Sequence, residues 1–307
     1  MTGGVNGRWG VLLITGLIAL FLYITEPGIV LADLQEVKER GVLRHLGVTY
    51  AHFVRKTPQG YDGLDVDVMK LFAEYLGVRY QLVNTTWTDV FTDLTGRKED
   101  PVTHEYRQEA TEQIRGDIIS NGLTVLSSRQ KIVNYSIPTF PTGVWLIAPA
   151  NSQLTPIHPS GNMLEDIQNV KSLLEGHSVL TMNGTCLDAR FYDFDPSLVH
   201  IKYFSASKII NDIVPTMMNG AADATLLDIP DAMVALQTWP GEIKIIGPVS
   251  KGQVMGAAVA KNSPQILKVF NVFFKKIWMD GTYHKLVEKY YPSVFLYFGG
   301  FFDKERK

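Results

Sequence analysis

A single cysteine, Cys186, stands in 307 residues, so no internal disulfide can form and the fold rests on its core. An excess of either charge is missing too. The 29 basic side chains meet 31 acidic ones, a net charge of −2, which gives no electrostatic case for nucleic acid or anionic lipid as partner. The chain has no Gly-x-Ser-x-Gly elbow, no His-Glu-x-x-His, no phosphate loop and no dinucleotide glycine fingerprint. Its histidines (His45, His52, His104, His158, His177, His200 and His284) are scattered, with no pair at metal-ligand spacing. Neither a metal nor a cofactor is expected, and most familiar catalytic classes drop out.

What is present is a globular composition, 46% hydrophobic and 20% charged, in a chain long enough for two domains. Arg8 precedes an uncharged run from Trp9 to Ile24. Pro27 and then Val30-Leu31-Ala32 follow, with small residues where signal peptidase reads them. This predicts a secretory signal over 1–32 cut after Ala32, and a periplasmic protein. The run is long for a signal and short for a comfortable span, so an uncleaved membrane anchor is the other reading. No cysteine lies near the cut, which excludes a lipoprotein anchor.

Beyond Ala32 the pattern alternates strand and helix. Leu34 to Arg40 reads as a helix stopped by Gly41, and Val42 to Thr49 as a strand. Val66 to Leu76 places Val68, Met69, Phe72 and Leu76 on one helical face, and Gly77 ends it. Val78 to Val83 alternates as a strand. Thr88 or Asp89 can cap the helix carrying Val90, Phe91 and Leu94. Residues 97–115 interrupt this rhythm with charge of both signs, and read as a solvated helix and loop or as a docking surface. Strands follow at Val144 to Ile147 and Ser178 to Met182, and helices at Ile266 to Trp278 and Tyr283 to Tyr291. Alternating βαβ units predict parallel sheets flanked by helices and two lobes.

Three stretches carry chemistry. Asn121-Gly122-Leu123-Thr124, followed by Arg129, supplies a main-chain N–H, a hydroxyl and a guanidinium, the donors that hold a small carboxylate. Asp223 to Asp228 supplies a carboxylate at the end of an apolar run, an acceptor for an ammonium. Asn183-Gly184-Thr185 follows an apolar strand and precedes an expected helix over Leu187 to Phe191, which makes it either an anion site or an ordinary turn and cap. Alone, Arg129 reads equally as a solvated charge and Cys186 as a small buried apolar residue.

Taken together, these stretches resemble family 3 of the bacterial extracellular solute-binding proteins, the polar amino-acid receptors of ABC importers. The likeness runs from about Gly41 to Pro292 except at 97–115. It includes Gly60-Tyr61-Asp62-Gly63-Leu64-Asp65-Val66-Asp67, Trp87 to Leu94, Gly116 to Arg129, Tyr135-Ser136-Ile137-Pro138 and Asp280-Gly281-Thr282-Tyr283. The resemblance implies a two-lobed α/β periplasmic-binding-protein fold of type II, with parallel-rich sheets and a hinge. Lobe 1 would span 33–143, lobe 2 would span 144–253, and 254–307 would return to lobe 1. It also implies a monomer that hands a small amino acid to the importer's membrane subunits. Gly122, Thr124 and Arg129 would hold the ligand carboxylate, with Thr185 adding a donor. Asp228 would receive the ammonium, and Tyr50 and Trp87 would wall the ligand side chain. Asp223 would be structural. Gly47 stands where receptors of basic amino acids carry an acid, which points to an uncharged ligand side chain.

Two other classes share this scaffold. Cyclohexadienyl dehydratases are similar at Trp87 and Tyr135-Ser136-Ile137-Pro138. Their glycine-threonine-x-glutamate reads Gly184-Thr185-Cys186-Leu187 here, with Asp188 one step late. A one-residue shift turns a helical side chain by about 100°. The other class is a sensor or lytic-transglycosylase accessory lobe, although nothing after Tyr291 is long enough for a further domain.

Overall fold

The computed structural model describes residues 1, 3, 33–100, 103, 105–205 and 210–303. The expected signal segment and its cut at Ala32 lie outside the described residues. The chain divides into two units, and all that follows concerns Leu31–Lys307.

Two five-stranded sheets organise this unit. The first runs in the order Arg79–Asn84, Val42–Gly47, Ile118–Ile119, Ala258–Ala260, Val133–Tyr135. The second runs His200–Tyr203, Ser178–Thr181, Ala224–Asp228, Val144–Pro149, Ile243–Pro248. In each sheet one half is parallel and the other antiparallel. The all-parallel expectation is therefore corrected. Local alternation of strand and helix sees the βαβ half of a sheet. It does not see strands that arrive after the chain has visited the other lobe. Phe140–Thr142 and Gln253–Met255 pair antiparallel, one leading out of the first sheet and the other leading back.

Helices cover the sheets for local reasons. Leu34–Arg40 starts where the Asp33 side chain accepts from Leu34 N and ends at Gly41 in the left-handed region. Leu64–Leu76 buries Val68, Met69 and Phe72, the face that the sequence spacing marks, and ends at left-handed Gly77. It packs on the first sheet beside Pro264–Met279, with Phe72 edge-on to Phe270 at 5.2 Å. Met163–Ser172 and Ile229–Thr238 cover the second sheet. Thr282–Tyr290 follows the expected helix closely. Val294–Phe302 is an additional helix, whose Phe302 stacks on Trp278 at 5.8 Å. Among the described residues no helix is long and apolar enough to cross a membrane.

Three local expectations are corrected. Asp89 precedes Val90–Thr95 but makes no side-chain cap; its carboxylate accepts from the Thr86 hydroxyl instead. The helix expected over Leu187 to Phe191 is one 3-10 turn, Ala189–Phe191, capped by Asp188. Among the described residues of 97–115 there is no helix, only a bridge between Glu99 and Tyr106. That stretch is packed as well as solvated: Tyr106 meets Phe91 edge-on at 6.1 Å. Its charges signal polarity but not conformation, and Pro101 interrupts any helix through it.

Candidate functional site

The sequence-derived candidates all lie at or just past the carboxyl ends of strands. Tyr50 follows Val42–Gly47, Trp87 follows Arg79–Asn84, and Gly122 and Thr124 follow Ile118–Ile119. In the second sheet Thr185 follows Ser178–Thr181, and Asp228 is the last residue of Ala224–Asp228. In open α/β sheets this is the edge at which ligands bind. Arg129 opens the short 3-10 turn Arg129–Lys131 in the first sheet's half of the chain.

Contacts between these residues cross from one sheet's loops to the other's. The Tyr50 hydroxyl donates to Asp228 Oδ2, and the Cys186 thiol lies 3.6 Å from the same oxygen. Asp228 Oδ1 accepts from Asp231 N at 3.1 Å, so this carboxylate also caps the helix Ile229–Thr238. Arg129 donates from Nη1 to Thr124 O at 3.1 Å and from Nη2 to Gly184 O at 3.2 Å. Its guanidinium sits 5.8 Å from the centre of the Trp87 ring and 5.3 Å from that of Phe91. Trp87 in turn meets Tyr50 edge-on at 5.8 Å.

Several polar atoms around Arg129 are buried and unanswered. Thr124 Oγ, Trp87 Nε1 and both side-chain polar atoms of Asn121 are sealed from solvent with no hydrogen-bond partner of good geometry. Arg129 itself is only 6% exposed, and among the described residues it has no carboxylate within ion-pairing distance. A guanidinium has five N–H donors, and two carbonyls do not exhaust them. Buried charge and buried donors cost free energy unless paired, so this cluster is arranged for an anion.

Electrostatics on the facing wall are of the opposite kind. Burial raises the Asp228 carboxyl to about 6, partly offset by the hydrogen bond from Tyr50. Asp231 is pushed well above the ordinary carboxylate range by burial and then by Asp228 beside it. Burial and the neighbouring Asp228 raise the Cys186 thiol to about 12, which makes it an inert thiol. Among the described residues no cluster of His, Cys, Asp or Glu is placed to hold a metal ion.

Not every candidate group is directed at a shared point. The Gly122 N–H donates to Asp65 Oδ2 at 2.7 Å. The Thr185 hydroxyl donates to Met182 O at 2.8 Å and accepts from Leu187 N at 3.1 Å, so it stabilises its own turn. Gly122 has a second task. At φ 66° it occupies the left-handed region, and a side chain there would meet Phe53 at 2.5 Å and Tyr50 at 2.9 Å. Asp223 accepts from both the amide and the hydroxyl of Ser178 at 2.7 Å, a structural role. Asn121, Asp231 and Cys186 were missed as parts of the cluster. Asn121 alone had a visible signal, its place beside Gly122.

Comparison with known proteins follows the same lines. Membrane-bound lytic murein transglycosylase F of Desulfosudis oleivorans is 21% identical over 85% of this chain, which spans about half (51%) of that protein's length. ABC transporter arginine-binding protein 1 of Escherichia coli is 21% identical over 75% of this chain and 82% of its own. A mutant of ArgBP from T. maritima superposes with a TM-score of 0.66 at 24% identity, covering 84% of this chain and 99% of that one. An ancestral amino-acid-binding protein, a precursor of cyclohexadienyl dehydratase, gives 0.65 at 25% identity, covering 85% and 100%. The fold is that of the type II periplasmic binding proteins. The pattern of bacterial extracellular solute-binding proteins, family 3, matches residues 98–293, the stretch that holds Arg129, the Gly184–Thr185 turn and Asp228. By that match the chain belongs to the bacterial extracellular solute-binding proteins, family 3.

Proposed function

We propose that this solute-binding protein takes a small α-amino acid or related carboxylate between its lobes and delivers it to the membrane subunits of an ABC importer. The observation that carries the reading is the buried Arg129 guanidinium without a carboxylate, ringed by the unanswered donors of Thr124, Trp87 and Asn121. The ligand's carboxylate would take the free donors of Arg129, and its ammonium would replace the Tyr50 hydroxyl at Asp228. A zwitterion held this way touches both lobes, so it favours the closed form by contacts that an open form lacks. The exported, periplasmic setting and the monomeric state belong to the same proposal, as do lobe limits at 33–143, 144–253 and 254–307.

The wall near Gly47 supports an uncharged side chain at that end of the ligand. Leu82 Cδ1 and Val54 Cγ1 stand 3.0 and 3.4 Å from where a Gly47 Cβ would be. Apolar groups thus fill the place where the resemblance puts an acid in receptors of basic amino acids. A thermal-shift screen of the twenty amino acids tests the reading. A rise in melting temperature that Arg129→Ala abolishes supports it; a rise that survives in that variant overturns it.

A catalytic reading through Asp188 lacks support. Burial pushes its carboxyl up, but the hydrogen bonds and charge of Arg190 outweigh this and hold it below the ordinary range. A group kept ionised, with Arg190 Nη2 at 2.6 Å, is a poor general acid. A second reading follows from the transglycosylase relatives: a solute-binding module of a murein-processing protein. Muropeptide fragments added to the same screen distinguish the two.

A further inference from the structure

Residues 97–108 are the part of the chain that the family resemblance leaves unexplained, and they do not lie idle on the surface. They wall a cavity of about 420 Å³ whose other sides come from Phe91, Ser128, Arg129, Lys131 and Ile132, and from Gly184, Arg190 and Phe191 across the gap. Ligand sites run from roughly 300 to 1,000 Å³ for drug-sized molecules, so this volume exceeds the needs of one small amino acid.

The charge of the lining is informative. Arg190 is held bidentately by Asp188 at 2.6 to 3.1 Å. Arg97, Arg129 and Lys131 differ: among the described residues none of the three has a carboxylate within ion-pairing distance. Three cations without such partners share one cavity, and one of them is buried. Arg129 also stands between two aromatic contacts. Trp87 leads to Tyr50 on one side, and Phe91 leads to Tyr106 of the 97–108 segment on the other. A carboxylate on Arg129 is therefore reached from both the apolar wall and this cavity.

We infer that Arg97 and Lys131 are specificity-determining residues, and that the ligand is an amino acid extended by a second carboxylate that lies in the cavity walled by residues 97–108. The first carboxylate sits on Arg129, so the inference rests on the function proposed above. The second lies between Arg97 and Lys131, with the Phe91 and Tyr106 rings against the connecting chain. Both cations are only partly buried, so their attraction is screened by salt, whereas that of Arg129 is not.

The test is titration calorimetry of the full exported chain with phenylalanine, glutamate and γ-glutamyl-phenylalanine. The wild type is expected to bind at least one of the two dicarboxylates tenfold or more tightly than phenylalanine, with a preference that shrinks in high salt. The double variant Arg97→Ala, Lys131→Ala should lose that preference while keeping its affinity for phenylalanine within threefold. Equal or tighter binding of phenylalanine, or a preference that survives the double variant, overturns the inference while leaving the site at Arg129 standing. Unchanged binding of all three probes by Arg129→Ala, or no binding of any probe by the wild type, overturns the proposed site itself and this inference with it.

Discussion

The hydroxyl of Tyr50 donates to the carboxylate of Asp228, tying a loop beyond the first sheet to the last residue of a strand in the second. Both groups are buried, and the hydroxyl occupies the acceptor that the proposed ligand ammonium needs. Tyr50 thus competes with ligand while steadying the closed arrangement.

Tyr50→Phe should therefore separate stability from affinity. Losing a hydrogen bond to a charged group costs roughly 1–3 kcal/mol of folding stability. Urea unfolding should show that loss without ligand, and titration should show tighter binding of the best amino acid. Weaker binding would mean that Tyr50 holds the ligand rather than competing with it.

Mild acid should stabilise the unliganded protein. Asp65 and Asp228 are raised by burial to about 6, and Asp231 goes higher still. A carboxyl raised in the folded state binds more protons there than in the unfolded chain, so its stabilisation is fullest below pH ~4 and fades as pH rises through ~6. The melting temperature should rise by a few degrees from pH 7 to pH 5. Over the same interval the affinity for a zwitterion should fall, because protonated Asp228 no longer attracts an ammonium. Parallel rises in both would contradict this assignment.

Gly122→Ala is expected to damage fold and site together. A non-glycine residue held in the left-handed region costs roughly 1–3 kcal/mol. Contact with Phe53 and Tyr50 adds an overpacking penalty. A far-ultraviolet melt should show the loss, and ligand response should vanish because Tyr50 is displaced.

Asp117→Asn gives the contrasting case, a large effect on stability with none on binding. Asp117 is buried at the opposite end of the strand Ile118–Ile119 and pairs with Arg40 at 2.6 Å and Arg44 at 2.7 Å. Removing one partner of a buried ion pair costs about 3–5 kcal/mol. Chemical denaturation should register that cost, while ligand affinity measured well below the melting temperature should not move.

Much of this architecture was legible where the physics is local. Asp33 and Gly41 mark the ends of Leu34–Arg40 by cap chemistry, and Val68, Met69 and Phe72 mark a buried face by spacing. The candidate site was visible as residue types, since Arg129 and Asp228 have few reasons to sit inside apolar segments. What stayed hidden depends on partners distant in sequence. Asp89 looks like a cap until Thr86 claims its carboxylate, and Thr185 looks like a free hydroxyl until Met182 accepts from it. Likewise the charges of 97–108 look solvated until Phe91 and Arg129 are placed behind them.

The most direct measurement is a calorimetric cycle pairing ligand groups with protein groups. The best-bound amino acid, its C-terminal amide and its N-acetyl form would be titrated into wild type, Arg129→Lys and Asp228→Asn. Arg129→Lys should weaken the amino acid strongly but leave the amide little changed, and Asp228→Asn should do the same for the N-acetyl form, giving coupling energies above ~1 kcal/mol. Losses that simply add, with no coupling between guanidinium and carboxylate or between Asp228 and ammonium, would contradict the account.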